Sequence, residues 1–132
     1  MAPHDAQLTP LQLDVMRVLW SRPEATAAEV TESLAGARRL APTTVATLLG
    51  RLEKRGLVAH TRRGRQFVYR AAVAETVARA VMVDELAQRL FAGDAARLVH
   101  HLLARHELEP GDLARVRELI EARERRREVR DA

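Results

Sequence analysis

Apolar residues recur at helical spacing in six stretches of the 132-residue chain, interrupted once by a short region of strand-like alternation. Leu11, Val15, Val18 and Leu19 predict a first helix ending near Trp20, with Thr9 as its N-cap and Pro10 at the first helical position, where a missing N–H costs nothing. Ser21-Arg22-Pro23 breaks it. Thr26-Ala27-Ala28-Glu29 reads as a capping box, in which a hydroxyl and a carboxylate satisfy helix N–H groups reciprocally; the helix behind it turns Val30 and Leu34 inward and stops near Gly36. Pro42 opens a third helix whose inward stripe is Val45, Leu48, Leu49 and Leu52, and Gly56 ends it after Lys54 and Arg55, cations that suit the last turn. Residues 57–61 and 66–70 then read as a β-hairpin around an Arg62-Arg63-Gly64-Arg65 tip, with Phe67 and Tyr69 on one face and Val68 on the other. Residues 75–91 form a helix with Val77, Val81, Leu86 and Leu90 apolar. Beyond a break at Gly93 a shorter helix carries Leu98, Val99, Leu102 and Leu103, and Pro110 opens a last one with Leu113, Val116 and Ile120 on one face. Residues 1–8 read as a loose arm and residues 123–130 as a charged, solvated tail.

Charge divides the chain where the pattern does. Residues 38–70 hold nine basic residues against one acid, Glu53, a net +8 in a chain whose total is +4. A local positive patch of that size marks a polyanion footprint, and nucleic acid is the polyanion that fits it. Residues 1–74 carry 11 basic and 6 acidic residues, and residues 75–132 carry 11 and 12, so a boundary is expected near Ala74. The absence of cysteine excludes disulfides, thiolate metal sites and thiol catalysis. No apolar run approaches the roughly 20 residues of a membrane span, and Met-Ala-Pro-His-Asp does not begin a secretory signal, so a cytoplasmic protein is expected.

Three helices followed by a two-stranded hairpin is the order of a winged helix-turn-helix, in which the second helix of the pair enters the major groove. The fold class expected is therefore mainly α: a winged helix-turn-helix DNA-binding domain over residues 1–74, with a helical dimerisation domain over residues 75–132. The stripe of the third helix leaves Thr43, Thr44, Ala46, Thr47, Gly50 and Arg51 outside. Threonine exchanges hydrogen bonds with phosphates and base edges and offers a methyl to thymine, and Arg51 is long enough for phosphate or guanine. Arg62, Arg63 and Arg65 would reach the DNA backbone or minor groove from the hairpin tip, and Arg38 and Arg39 precede the recognition helix, where phosphates lie. The 58 residues after Ala74 have apolar faces but too little mass for a separate core. Pairing two copies through Leu86, Leu90, Leu98, Leu102, Leu113, Val116 and Ile120 would bury those faces and present two recognition helices to half-sites ~34 Å apart. His100, His101 and His106 lack the i, i+3 or i+4 spacing of a helical metal site, so no metal or other cofactor is expected. Ser21 and Ser33, the only serines, sit in no nucleophile turn, and catalysis is not expected.

Three segments carry a family resemblance: Leu13-Asp14-Val15-Met16-Arg17-Val18-Leu19-Trp20, then Pro42-Thr43-Thr44-Val45-Ala46-Thr47-Leu48-Leu49-Gly50-Arg51-Leu52, then Lys54-Arg55-Gly56-Leu57-Val58. In them the chain resembles the penicillinase-repressor family of the BlaI, MecI and CopY type. The resemblance implies a homodimeric repressor on an inverted-repeat operator, relieved when a membrane sensor protease leads to cleavage in the C-terminal region. Antibiotic resistance is a process the resemblance brings into view. Copper-responsive members carry a cysteine metal site, which this chain lacks; Thr43 and Ala46 stand where members often have longer polar residues, so the operator sequence does not carry over. The alternative is a winged-helix regulator controlled by a small ligand or metal, motivated by the three histidines alone.

Overall fold

The structure, a computed structural model, describes residues 7–131; most of the expected N-terminal arm lies outside the described residues. The order of elements is α1 (Pro10–Ser21), β1 (Ala25–Thr26), α2 (Ala27–Leu34), α3 (Pro42–Lys54), β2 (Val58–Arg63), β3 (Gln66–Ala71), α4 (Glu75–Phe91), α5 (Ala95–Arg105) and α6 (Asp112–Asp131). They fall into two compact units, one extending through Leu86 and the other beginning at Ala87.

The first unit holds the core. Val15, Met16 and Leu19 of α1, Val30 and Leu34 of α2, and Val45, Leu49 and Leu52 of α3 meet Leu57, Val58, Tyr69, Val73 and Ala78 in one buried cluster. Leu48, expected in the α3 stripe, is half-buried at the edge of that cluster. Local chemistry sets the helix ends. Thr9 and Gln12 close one capping box on α1, and Thr26 and Glu29 close a second on α2. After α3, Gly56 N–H bonds to Glu53 O and Leu57 N–H to Leu52 O, both at 3.0 Å. This is a Schellman turn, and Gly56 meets its left-handed requirement at φ +78° while Leu52 and Leu57 bury together. The turn redirects the chain from α3 straight into β2. Trp20 Nε1 donates to Val73 O at 2.9 Å and ties α1 to the segment leaving the sheet.

The hairpin is longer than its pattern predicted and carries a third strand. β1 pairs antiparallel with β3 (Ala25↔Tyr69, Thr26↔Val68), so the sheet order is β1-β3-β2. Two residues are too few to show an alternation, and the same Thr26 caps α2. Helices α1, α2 and α3 with this small antiparallel wing make a winged helix-turn-helix.

α4 begins at Glu75, and Ala78 in its first turns is buried in the first unit. In the second unit α5 and α6 bury no residue at all. The stretch read as a solvated tail is exposed, but it is helical through Asp131. No helix of the described residues is long and apolar enough to cross a membrane.

Candidate nucleic-acid interface

Burial of Val45, Leu49 and Leu52 turns the opposite side of α3 outward. Thr43, Thr47 and Arg51 follow one another at four-residue intervals along that side, with Thr44 next to them, and all four are exposed. Thr47 Oγ1 donates to Thr43 O at 3.0 Å, which leaves its lone pairs and methyl available outward. Ala46 and Gly50 flank the face half-buried. Pro42 is the first residue of α3 and Ala41 caps it without a side-chain bond. The positive end of the helix dipole therefore follows directly on the Arg38-Arg39 segment.

The wing brings up the second group of cations. Strand pairing runs to Arg63↔Gln66, so Arg62 and Arg63 belong to β2 and only Gly64 and Arg65 form the turn, a correction to the four-residue tip. Gly64 at φ +64° is the first turn residue, and no other residue there has positive φ, which is the type II′ arrangement suited to strand twist. The register places Arg62 on the face of Phe67, with its guanidinium 6.0 Å from the ring centroid. Arg65 is exposed at the tip.

The cations are not all equally available. Arg38 Nε is bound to Asp14 Oδ2 at 2.8 Å, which anchors the segment before α3 to α1. Arg63 is held by Glu24 through two contacts, at 2.5 and 3.0 Å. Arg55 reaches Gln12 Oε1 at 3.3 Å and the carbonyl of Gln7, so it binds the chain entering α1 as well as sitting at the end of α3. Arg39, Arg51, Lys54, Arg62, Arg65 and Arg70 form no ion pair among the described residues. The single acid of the +8 window has a different partner: both Glu53 oxygens lie 2.7 Å from His60 Nδ1, joining α3 to β2. His60 stacks on Phe67 at 4.2 Å and packs near Tyr69 at 5.7 Å. Burial, aided by the Glu53 carboxylate, pushes the Tyr69 hydroxyl pKa up. This cluster fixes the wing against α3. Sequence reasoning missed Asp14 and Glu24, which only the fold brings to Arg38 and Arg63, 24 and 39 positions away, and it missed the Glu53–His60 pair, 7 positions apart across the turn from α3 into β2, for which the isolated acid was the one available signal.

In the second part of the chain, Leu86, Leu90, Leu102, Leu113 and Ile120 are exposed, and Leu98 and Val116 are half-buried. Val99, Leu103, Leu108, Leu119 and Val129 add to the exposed apolar surface. His100, His101 and His106 are exposed, and no group of three metal-binding side chains converges among the described residues.

The sequence profile of the Penicillinase repressor family matches residues 8–122. The "Penicillinase repressor" of Bacillus licheniformis is 26% identical over 121 residues, covering 92% of this chain and 94% of that protein. The "Transcriptional regulator BlaI" of Mycobacterium tuberculosis is 36% identical over 111 residues, covering 83% of this chain and 80% of the relative. Among solved structures, the solution structure of the DNA binding domain of the repressor BlaI is similar at 32% identity and a TM-score of 0.49, covering 58% of this chain and 90% of that one. The Bacillus licheniformis BlaI monomer in complex with the blaP half-operator matches at 34% identity and a TM-score of 0.46, over 54% of this chain and 87% of that one. With the profile running from the start of α1 into α6 and a 36% identical relative across most of its length, this chain belongs to the penicillinase repressor family.

Proposed function

We propose that this chain is a cytoplasmic transcriptional repressor that acts by binding DNA rather than by catalysis. It seats α3 in the major groove of an inverted-repeat operator as a homodimer. The observation that carries the reading is the outer face of α3, where Thr43, Thr44, Thr47 and Arg51 stand exposed together, with the exposed cations Arg39 in the segment before α3 and Arg62 and Arg65 on the wing. Arg51 and the threonines contact base edges and nearby phosphates, while Arg62, Arg63 and Arg65 hold the backbone beside the groove. The apolar side chains of α4, α5 and α6 pair with those of a second copy and set the spacing of the half-sites. Family membership supports relief of repression by a sensor protease that leads to cleavage in the C-terminal region.

The test is a titration of duplex DNA from the gene's own promoter at several salt concentrations. A dimer making about 6–10 phosphate contacts loses ~10³–10⁵-fold in affinity between about 50 and 200 mM salt. Salt-independent or undetectable binding would reject the reading. Thr47→Ala should change which sequences are selected from a random pool, and an unchanged selection would remove α3 from the groove. Selected sites without two-fold symmetry would reject the dimeric operator.

A further inference from the structure

The wing cation Arg63 does not point where a DNA-binding wing would use it. Its Cα pairs with Gln66 at the turn end of the hairpin, whereas Glu24 precedes Ala25, whose partner is Tyr69. To reach Glu24 the Arg63 side chain turns back along the wing, away from the tip, on the face of the sheet that also carries Val68. That residue is only 7% exposed although it lies on the side opposite the core. The guanidinium meets the carboxylate through both terminal nitrogens, Nη1 to Oε1 at 2.5 Å and Nη2 to Oε2 at 3.0 Å. This is the paired geometry with which arginine also grips a phosphate.

We propose that Glu24 is an internal phosphate mimic: it holds Arg63 retracted in the free protein and must release it when the wing meets the DNA backbone. The inference rests on the DNA-binding reading above. Two features separate this pair from the other arginine–carboxylate pair of the DNA-binding unit that was expected to be a phosphate contact. The Arg63 side chain is 63% exposed, so the pair is solvent-screened and cheap to open, while the Arg38–Asp14 pair is about one-third exposed on both sides and links α1 to the segment before α3. The neighbours Arg62 and Arg65 have no carboxylate partner among the described residues, so Arg63 alone on the wing is exchanged rather than simply presented. Exchange lowers affinity for every DNA sequence alike, because the carboxylate competes with phosphate and not with bases. It thereby restrains non-specific binding by a chain with a +8 stretch.

A double-mutant cycle tests this. The full-length wild type, Glu24→Gln, Arg63→Gln and the double variant are titrated against a duplex selected by the protein from a random pool and against a mixed-sequence duplex, with thermal melting to confirm the fold. The proposal expects Glu24→Gln to tighten both complexes by about three- to tenfold, the combined worth of two exposed ion pairs, one in each protomer of the dimer. It expects Arg63→Gln to weaken both and to reduce the salt slope by about 0.9 for each lost phosphate contact, about 1.8 for a dimer. It expects the gain from Glu24→Gln to vanish in the Arg63→Gln background. A gain that persists there would mean that Glu24 merely repels DNA, and would overturn the proposal. So would unchanged or weaker binding by Glu24→Gln, or wild-type affinity and salt slope in Arg63→Gln. If the wild type itself binds neither duplex, the DNA-binding reading falls first and this one falls with it.

Discussion

The two parts of this chain use the same amino acids to opposite ends. Most leucine and valine in α1, α2 and α3 disappears into a core, with Val15, Val30, Val45, Leu49 and Leu52 all at 0% exposure. Leucine and valine in α5 and α6 remain on the surface, Val129 as much as 77% exposed, and no residue of either helix is buried. Both sets have helical periodicity, so amphipathic patterning alone does not separate a helix that has found its partner from one that has not. What separates them is the rest of the unit. The first has a sheet and capping boxes around three short helices, which encloses a volume. The second, among its described residues, buries no side chain of α5 or α6, and the proposed pairing with a second copy would cover their apolar faces.

The largest expected effect cuts at the first unit. Leu49→Ala deletes a fully buried side chain on the inner face of α3 and should cost about 2–5 kcal/mol. The loss should be independent of protein concentration, as read from urea midpoints at two concentrations tenfold or more apart. A midpoint that moves with concentration would show that the first unit also depends on assembly, and the contrast between the units would fail.

The next effect cuts at the second unit. Leu102 is exposed in the single chain, so Leu102→Ala should barely change the stability of the first unit. In a two-fold dimer each substitution acts twice. The association constant should therefore fall by about tenfold or more, equivalent to at least ~1.4 kcal/mol. Sedimentation equilibrium measures it. Amide exchange gives an independent view: protection in α1 and α3 should be insensitive to dilution, while protection in α5 and α6 should decline with it. Dilution-insensitive protection in α5 and α6 would show that these helices are closed within one chain.

Much of the first unit was legible because its determinants are local. Thr9, Pro10, the Thr26/Glu29 box, Pro42 and Gly56 act within a few residues of their own position, and each marks an element end that the structure also has. β1 was not legible, since a two-residue strand exists only through its pairing with Val68 and Tyr69. The α3 face follows from its complement, the buried stripe. The partners of the cations do not: Asp14 lies 24 residues from Arg38, and Glu24 lies 39 from Arg63. Counting charges along the chain credits both arginines to the positive patch, although the fold gives each a carboxylate. In α5 and α6 the pattern located the helices, but periodicity carries no information on what an apolar face meets.

The smallest expected effect tests whether the first unit owes part of its independence to its caps. Glu29 accepts hydrogen bonds from the Thr26 backbone and from Arg22 Nη2, at 2.9 and 2.8 Å. The Thr26 backbone bond, then the Arg22 and Thr26 side-chain bonds, hold its pKa below the ordinary 4.5. A carboxylate whose folded pKa is depressed contributes stability that is present above its unfolded value and is lost as pH falls through the folded value. The contribution of Glu29 should therefore be intact at pH 7 and decline below about pH 4.5. Glu29→Gln keeps an oxygen acceptor, as Gln12 does in the box on α1, but removes the charge. The variant should be slightly less stable than the wild type at pH 7, and the difference should shrink as pH falls below the ordinary carboxylate range and the wild-type carboxyl takes up its proton. Trp20, the one tryptophan of the chain, lies in α1 and is bonded to Val73, so its fluorescence follows unfolding of the first unit specifically. A stability difference that persists undiminished at low pH would assign the role of Glu29 to packing, and would leave the first unit's core, rather than its capped helix ends, as the source of its contrast with the second.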